Sequence, residues 1–142
     1  MESRQDSLGF LLADVSRLMR RAFQQQLEGS SLTLAQARAL IYVSRNEGVR
    51  QVELAELLEV QPITLARLID QLADAGLVER RPDPADRRAY QIFLTPAAAL
   101  QLRAIEDVTA AIRADALRGL NDKQTATVFL ALRKMRDNLA SR

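Results

Sequence analysis

Residues 51–95 read QVELAELLEVQPITLARLIDQLADAGLVERRPDPADRRAYQIFLT, and the reading of this stretch decides the fold. It opens on a short amphipathic segment, residues 52–58, followed by a tight turn at Glu59, Val60 and Gln61. A second helical segment runs over 62–75 and stops at Gly76, which supplies the left-handed position that ends a helix. Two extended runs, 77–81 and 89–95, enclose the charged loop 82–88. Leu54, Ala55, Leu58, Val60, Leu65, Leu68, Ile69 and Leu72 fall where two short helices can bury a shared seam. Ala55 is small enough to let those helices approach near the turn. Pro62 suits the first helical position, because its φ is already helical and its missing N–H is not needed there. Gln61, held out of the α region by the proline after it, stands as the N-cap.

With that seam buried, Gln61, Pro62, Ile63, Thr64, Arg67 and Gln71 remain on the outward face. A helix that offers its first turns to the major groove reads base edges with such residues. Thr64 and Gln61 can hydrogen-bond bases or phosphates. Arg67 can bond guanine bidentately, grip a phosphate, or pair on the surface with Asp70 or Gln71. Ile63 either meets a thymine methyl or packs inward against the first helix of the pair. In the loop, Pro82 and Pro84 stiffen the chain on either side of Asp83, and Asp86, Arg87 and Arg88 form the tip. A narrow, strongly negative minor groove is best entered by arginine. The alternative is a surface hairpin in which Asp83 and Asp86 pair with Arg80, Arg81, Arg87 and Arg88.

The run from Leu54 to Thr95 resembles the winged helix-turn-helix of the multiple antibiotic resistance regulator (MarR) family. The resemblance is carried, in order and at family spacing, by Leu54-Ala55, the segment around Thr64 and Arg67, residues 76–80, Asp86-Arg87-Arg88 and Leu94-Thr95. It extends less sharply over nearly the whole chain. It implies that one arginine of the loop enters the minor groove while the aspartate holds it, with Arg88 and Asp86 first by position and Arg87 second. It also implies a cleft between the dimerisation helices and the winged unit that takes small aromatic or lipophilic effectors. Ser16, Met19, Arg20, Tyr42 and Arg45 are the candidates to line it, against an ordinary role as core and rim. The chain departs from the family pattern at Ala97-Ala98-Ala99, where a glycine is common. It also departs at Ala66, where many relatives carry a hydroxyl beside the base-reading residues.

Outward from this stretch the chain is helical. Leu8, Leu11, Leu12, Val15, Leu18, Met19, Ala22, Phe23 and Leu27 recur at steps of three and four, predicting one amphipathic helix over 5–28. Gly29-Ser30-Ser31 breaks it. Thr33 with Gln36 reads as a capping box for a helix over 33–46. Beyond the hairpin, Thr95-Pro96 predicts a cap and a first-position proline. The helix there has Leu100, Ile105, Val108, Ile112 and Leu117 as its spine. Asn121 with Gln124 caps the last helix, which carries Val128, Phe129, Leu132, Met135 and Leu139. The fold class is therefore mainly α. A single domain, 1–142, holds a winged helix-turn-helix lobe (33–95) with a small β-hairpin wing, flanked by dimerisation helices at 5–28 and 96–140. The outer stripes bury most simply against each other and a second copy of the chain.

Composition bounds the chemistry. With 142 residues, 48% hydrophobic and 27% charged, the chain has the make-up of one folded domain. It contains no cysteine and no histidine, which excludes disulfides, thiol sensing, the usual zinc sites and histidine acid–base catalysis. No cofactor, metal or membrane span is expected, and a cytoplasmic location is. Net charge is only +2, and five arginines face five acids between residues 61 and 92. Bulk charge therefore does not argue for nucleic acid; individual arginines do. The reading is a homodimeric, non-enzymatic transcriptional regulator that binds a pseudo-palindromic double-stranded operator, a repressor released by a small ligand. A winged-helix protein–protein module is the alternative. An enzyme would need a paired-acid pocket or phosphate loop that the sequence does not contain.

Overall fold

The computed structural model describes residues 6–142. The elements run α1 (Leu8–Gln26), α2 (Leu34–Arg45), β1 (Val49–Arg50), α3 (Gln51–Leu58), α4 (Pro62–Asp74), β2 (Val78–Pro82), β3 (Tyr90–Leu94), α5 (Ala98–Ala116) and α6 (Asp122–Ala140). The helix expected over 5–28 starts later, with Ser7 as its N-cap accepting from the Phe10 N–H; Gln5 lies outside the described residues. Both expected capping boxes form. Thr33 and Gln36 bond each other's backbone N–H groups at the head of α2, and Asn121 and Gln124 do so at the head of α6. Each box satisfies two of the N–H groups that a helix start leaves without partners.

The lobe at the centre is built on the seam read from the sequence. Leu54 on α3 and Leu65 and Ile69 on α4 have no exposed surface, and Leu72 has almost none. They close on Leu40 and Val43 of α2 and on Ile92 of β3. Glu59, the one non-glycine at positive φ among the described residues, makes the left-handed turn between α3 and α4. Gly76, at φ +77, makes the turn into β2. The sheet order is β1-β3-β2, all antiparallel, with Arg80 opposite Ile92 and Pro82 opposite Tyr90. β1 was not anticipated. It is two residues long and forms only because β3 offers it an edge, Val49 opposite Ile92.

Thr95 does not cap α5. Its N–H extends the ladder to the Leu77 carbonyl and its hydroxyl donates to the Gly76 carbonyl, so it closes the hairpin instead. α5 then starts from Ala97 with no side-chain cap, its first turn tightened by Ala98 N–H to the Thr95 carbonyl. Leu100, expected on the spine of α5, is 76% exposed, while Ile105 is buried.

The outer helices are the unfinished part. α6 has no buried residue in its 19, and α1 buries only Phe23. The apolar stripe of α1 is open from Leu8 through Met19, and Leu130, Leu132 and Leu139 are open on α6. The chain exposes 10540 Å², about 3,000 Å² more than the roughly 7,300 Å² of a compact monomer of its mass. Among the described residues no helix is long and apolar enough to cross a membrane.

Candidate nucleic-acid interface

The outward face of α4 follows from the burial of its inward one. Once Leu65, Ile69 and Leu72 turn into the core, Gln61, Pro62, Ile63, Thr64, Arg67 and Gln71 are all left exposed. Ile63 is 67% exposed, so it does not pack against α3. Gln71 is tethered, its Oε1 accepting from Gln36 Nε2 of α2 at 2.8 Å.

The wing is held by a contact that the sequence did not disclose. Asp83 is buried at the base of the loop and meets Arg50 Nε at 2.6 Å. Its other oxygen accepts the Ala85 N–H at 2.8 Å. The backbone of the loop closes through Asp83 N–H to the Ala89 carbonyl and Ala89 N–H to the Asp86 carbonyl. The Ala85 N–H bond holds the Asp83 carboxyl below the usual carboxylate range. Burial opposes this, and the hydrogen bond and charge of Arg50 reinforce it. At the tip, Asp86 Oδ1 accepts the Arg88 backbone N–H at 3.0 Å. The aspartate thus fixes the Arg88 main chain and leaves its guanidinium to project.

The alternative of a hairpin whose Asp83 and Asp86 pair with its own arginines does not form among the described residues. Asp83 pairs with Arg50, Arg80 pairs with Asp70 at 2.7 Å, and Arg81 bonds Glu79 and lies 3.9 Å over the Phe93 ring. Arg67, Arg87 and Arg88 are exposed and have no ion pair or side-chain hydrogen bond among the described residues. A recess of about 250 Å³ brings Pro62 of α4 together with Asp86 and Arg88 of the wing. The helix start and the wing tip therefore present their groups side by side.

Because the folded Asp83 carboxyl is the stronger acid, its stabilisation is complete above the ordinary carboxylate range. It is lost as pH falls through the folded value below that range. Amide protection factors at Ala85 and Asp86, measured by NMR, should hold steady from about pH 7 to about pH 5 and collapse in stronger acid. Asp83→Asn should show the collapse already at neutral pH. Full protection in that variant would show that the loop does not depend on the carboxylate.

A second concavity, of about 390 Å³, lies where α1, α2, α5 and α6 converge. Met19, Arg20 and Tyr42, three of the expected lining residues, are there. Phe23, Leu34, Ile41, Ile112 and Phe129 supply the rest of the apolar wall, and Arg38 and Arg113 join Arg20 at the rim. Ser16 and Arg45 do not line it. The Ser16 hydroxyl accepts from Arg20 Nη1 one turn on, and Arg45 sits 5.8 Å from the Tyr42 ring centre. Arg38 and Arg113 were missed because each reaches the groove only through the packing of α2 and α5 around it. Among the described residues, no group of histidine, cysteine or acidic side chains could hold a metal ion.

Comparison with known proteins fits this geometry. The model of the MarR family matches residues 30–89. A solved structure of MarR is 26% identical and superposes with a TM-score of 0.87, covering 99% of this chain and 96% of that one. A MarR transcriptional regulator from Methanosarcina mazei Go1, 24% identical, shares the fold at a TM-score of 0.84, with 94% and 96% coverage. A mutant MarR from E. coli complexed with operator DNA is 27% identical, at a TM-score of 0.72 with 90% and 92% coverage.

Proposed function

The chain is a MarR-family transcriptional regulator, and from that premise we propose that it is a homodimeric, ligand-released repressor reading a two-fold symmetric operator through α4 and the wing. The observation that carries the DNA-contacting face is the sorting of the arginines. Arg50, Arg80 and Arg81 are spent inside the lobe, whereas Arg67, Arg87 and Arg88, on α4 and at the wing tip, have no ion pair or side-chain hydrogen bond among the described residues. Cations held on rigid elements and left unpaired suit phosphates and groove edges. That the E. coli relative was solved in complex with operator DNA supports DNA as the partner.

In this reading Gln61, Thr64 and Arg67 meet base edges in the major groove. Ile63, with its side chain free in solvent, meets a thymine methyl. Arg88 enters the minor groove, its main chain held by Asp86, and Arg87 meets the adjacent backbone. The open faces of α1 and α6 supply the dimer, which sets two copies of α4 about one DNA turn apart.

The groove between α1, α2, α5 and α6 is where a ligand would act. It is walled by apolar side chains and rimmed by Arg20, Arg38 and Arg113, which suits a lipophilic molecule carrying an anionic group. It lies between the outer helices and α2, which supports the DNA-reading lobe. A ligand that fits better when the lobes are splayed shifts the population away from the operator-binding spacing.

The roles divide measurably. Arg67→Ala should cost about 1–3 kcal/mol on an operator recovered by selection from random fragments and much less on random DNA. Arg88→Ala should weaken both and flatten the salt dependence. Fluorescence anisotropy on both duplexes decides it: matched losses for the two variants would refute the division.

A further inference from the structure

We propose that Arg80 is a positioning residue that locks the recognition helix to the wing, so that base contacts and minor-groove contacts are delivered as one rigid unit. The proposal rests on the DNA reading above and goes beyond it. Arg80 sits on β2, the strand that leads into the wing, opposite Ile92. Its guanidinium reaches two helices. Nε donates to Gln51 Oε1 at 2.8 Å, at the first residue of α3. Nη2 donates to the Ala66 carbonyl at 3.1 Å, and Nη1 meets Asp70 Oδ1 at 2.7 Å, one turn further along α4.

Three features make this more than a surface pair. The Arg80 side chain is only 25% exposed, and its bonds to Gln51 and Ala66 are part-buried, which spares them much of the solvent competition that weakens its pair with the open Asp70. The acceptors are a side-chain amide, a backbone carbonyl and a carboxylate spread around one plane. A guanidinium can satisfy them together, and the single ammonium of lysine cannot. Finally, the grip falls on α4 at Ala66 and Asp70, on either side of Arg67 in sequence. The opposite flank of α4 is tied to α2 through Gln71 and Gln36. The helix is thereby held from two sides, and the side facing the wing is held by Arg80. With its charge met by Asp70, Arg80 is not placed to serve as a phosphate contact itself.

The test uses the full-length dimer and two duplexes: one recovered by selection from random fragments and one of random sequence. Arg80→Met is expected to lose about tenfold on the selected duplex and to stay within about twofold on the random one, with the salt slope unchanged. Arg80→Lys should not restore the loss, because charge alone does not make the three bonds. Asp70→Ala removes one anchor from an exposed position and should give about a threefold loss on the selected duplex only. It keeps the proposal open to refutation should Arg80→Met fold poorly by circular dichroism.

Equal losses on both duplexes with a flatter salt slope would mean that Arg80 grips phosphate, and would overturn the proposal. Full rescue by lysine, or no loss in either Arg80→Met or Asp70→Ala, would overturn it as well. A wild-type chain that selects no duplex would bring down the DNA reading and this one with it. A wild type that selects while the variants keep its discrimination would bring down this one alone.

Discussion

Glutamate at both Leu12 and Leu132 is expected to turn a two-chain particle into a single chain and to lower operator affinity on the order of a hundredfold or more. Both side chains are open to solvent in the isolated chain, at 42% and 41% exposure. A charge there costs the monomer little. In a dimer each glutamate would enter an apolar seam without a partner, which is strongly unfavourable. The DNA consequence follows from geometry. Two half-sites engaged by one particle gain from effective concentration, and a single lobe holds only its own contacts. Light scattering coupled to size-exclusion chromatography reads the first effect and anisotropy the second. A variant that remains two-chain, or a single chain that keeps wild-type operator affinity, would remove the basis for the dimeric reading.

Leu65→Ala carries the largest expected cost in stability, roughly 2–5 kcal/mol. Leu65 is fully buried, one residue after Thr64, and belongs to the cluster that joins α4 to α2, α3 and β3. Removing its outer carbons leaves a void that flanking helices, pinned at both ends of a tight turn, cannot close. Urea unfolding at fixed protein concentration should show a lower midpoint with an unchanged slope. A midpoint within error of wild type would mean that α4 is not seated by this seam. Operator binding should weaken in parallel, because Thr64 and Arg67 are aimed by the same packing.

The architecture of the lobe was legible because its signals are local. Pro62 starts α4, Gly76 ends it, and the Thr33–Gln36 and Asn121–Gln124 boxes open their helices where the spacing puts them. The exposure of Ile63 removes the inward packing that the sequence left open, since either face of a short helix could have taken an isoleucine. The misses are contacts between residues far apart in the chain. Arg50 and Asp83 are 33 residues apart, and nothing near either names the other. The alternative that paired Arg80 with the hairpin's own acids drew on its sequence neighbours; in space the acid on α4 is better placed. Ser16 falls outside the groove, and its hydroxyl accepts from Arg20 on its own helix. Thr95 has the composition of a cap and is taken by Gly76.

The internal pairing of Arg50, Arg80 and Arg81 also bears on how such a protein would search a chromosome. Sequence-independent attraction to duplex DNA grows with every uncommitted cation, and a strongly basic protein spends most of its time on the wrong sites. From β1 to β3, three of the six arginines are uncommitted among the described residues and the other three are paired with carboxylates. The protein's residence on irrelevant DNA should be brief, and few copies would be sequestered by the genome's vast excess of non-cognate sites. On the proposed reading, a small cellular pool would then suffice to keep an operator occupied.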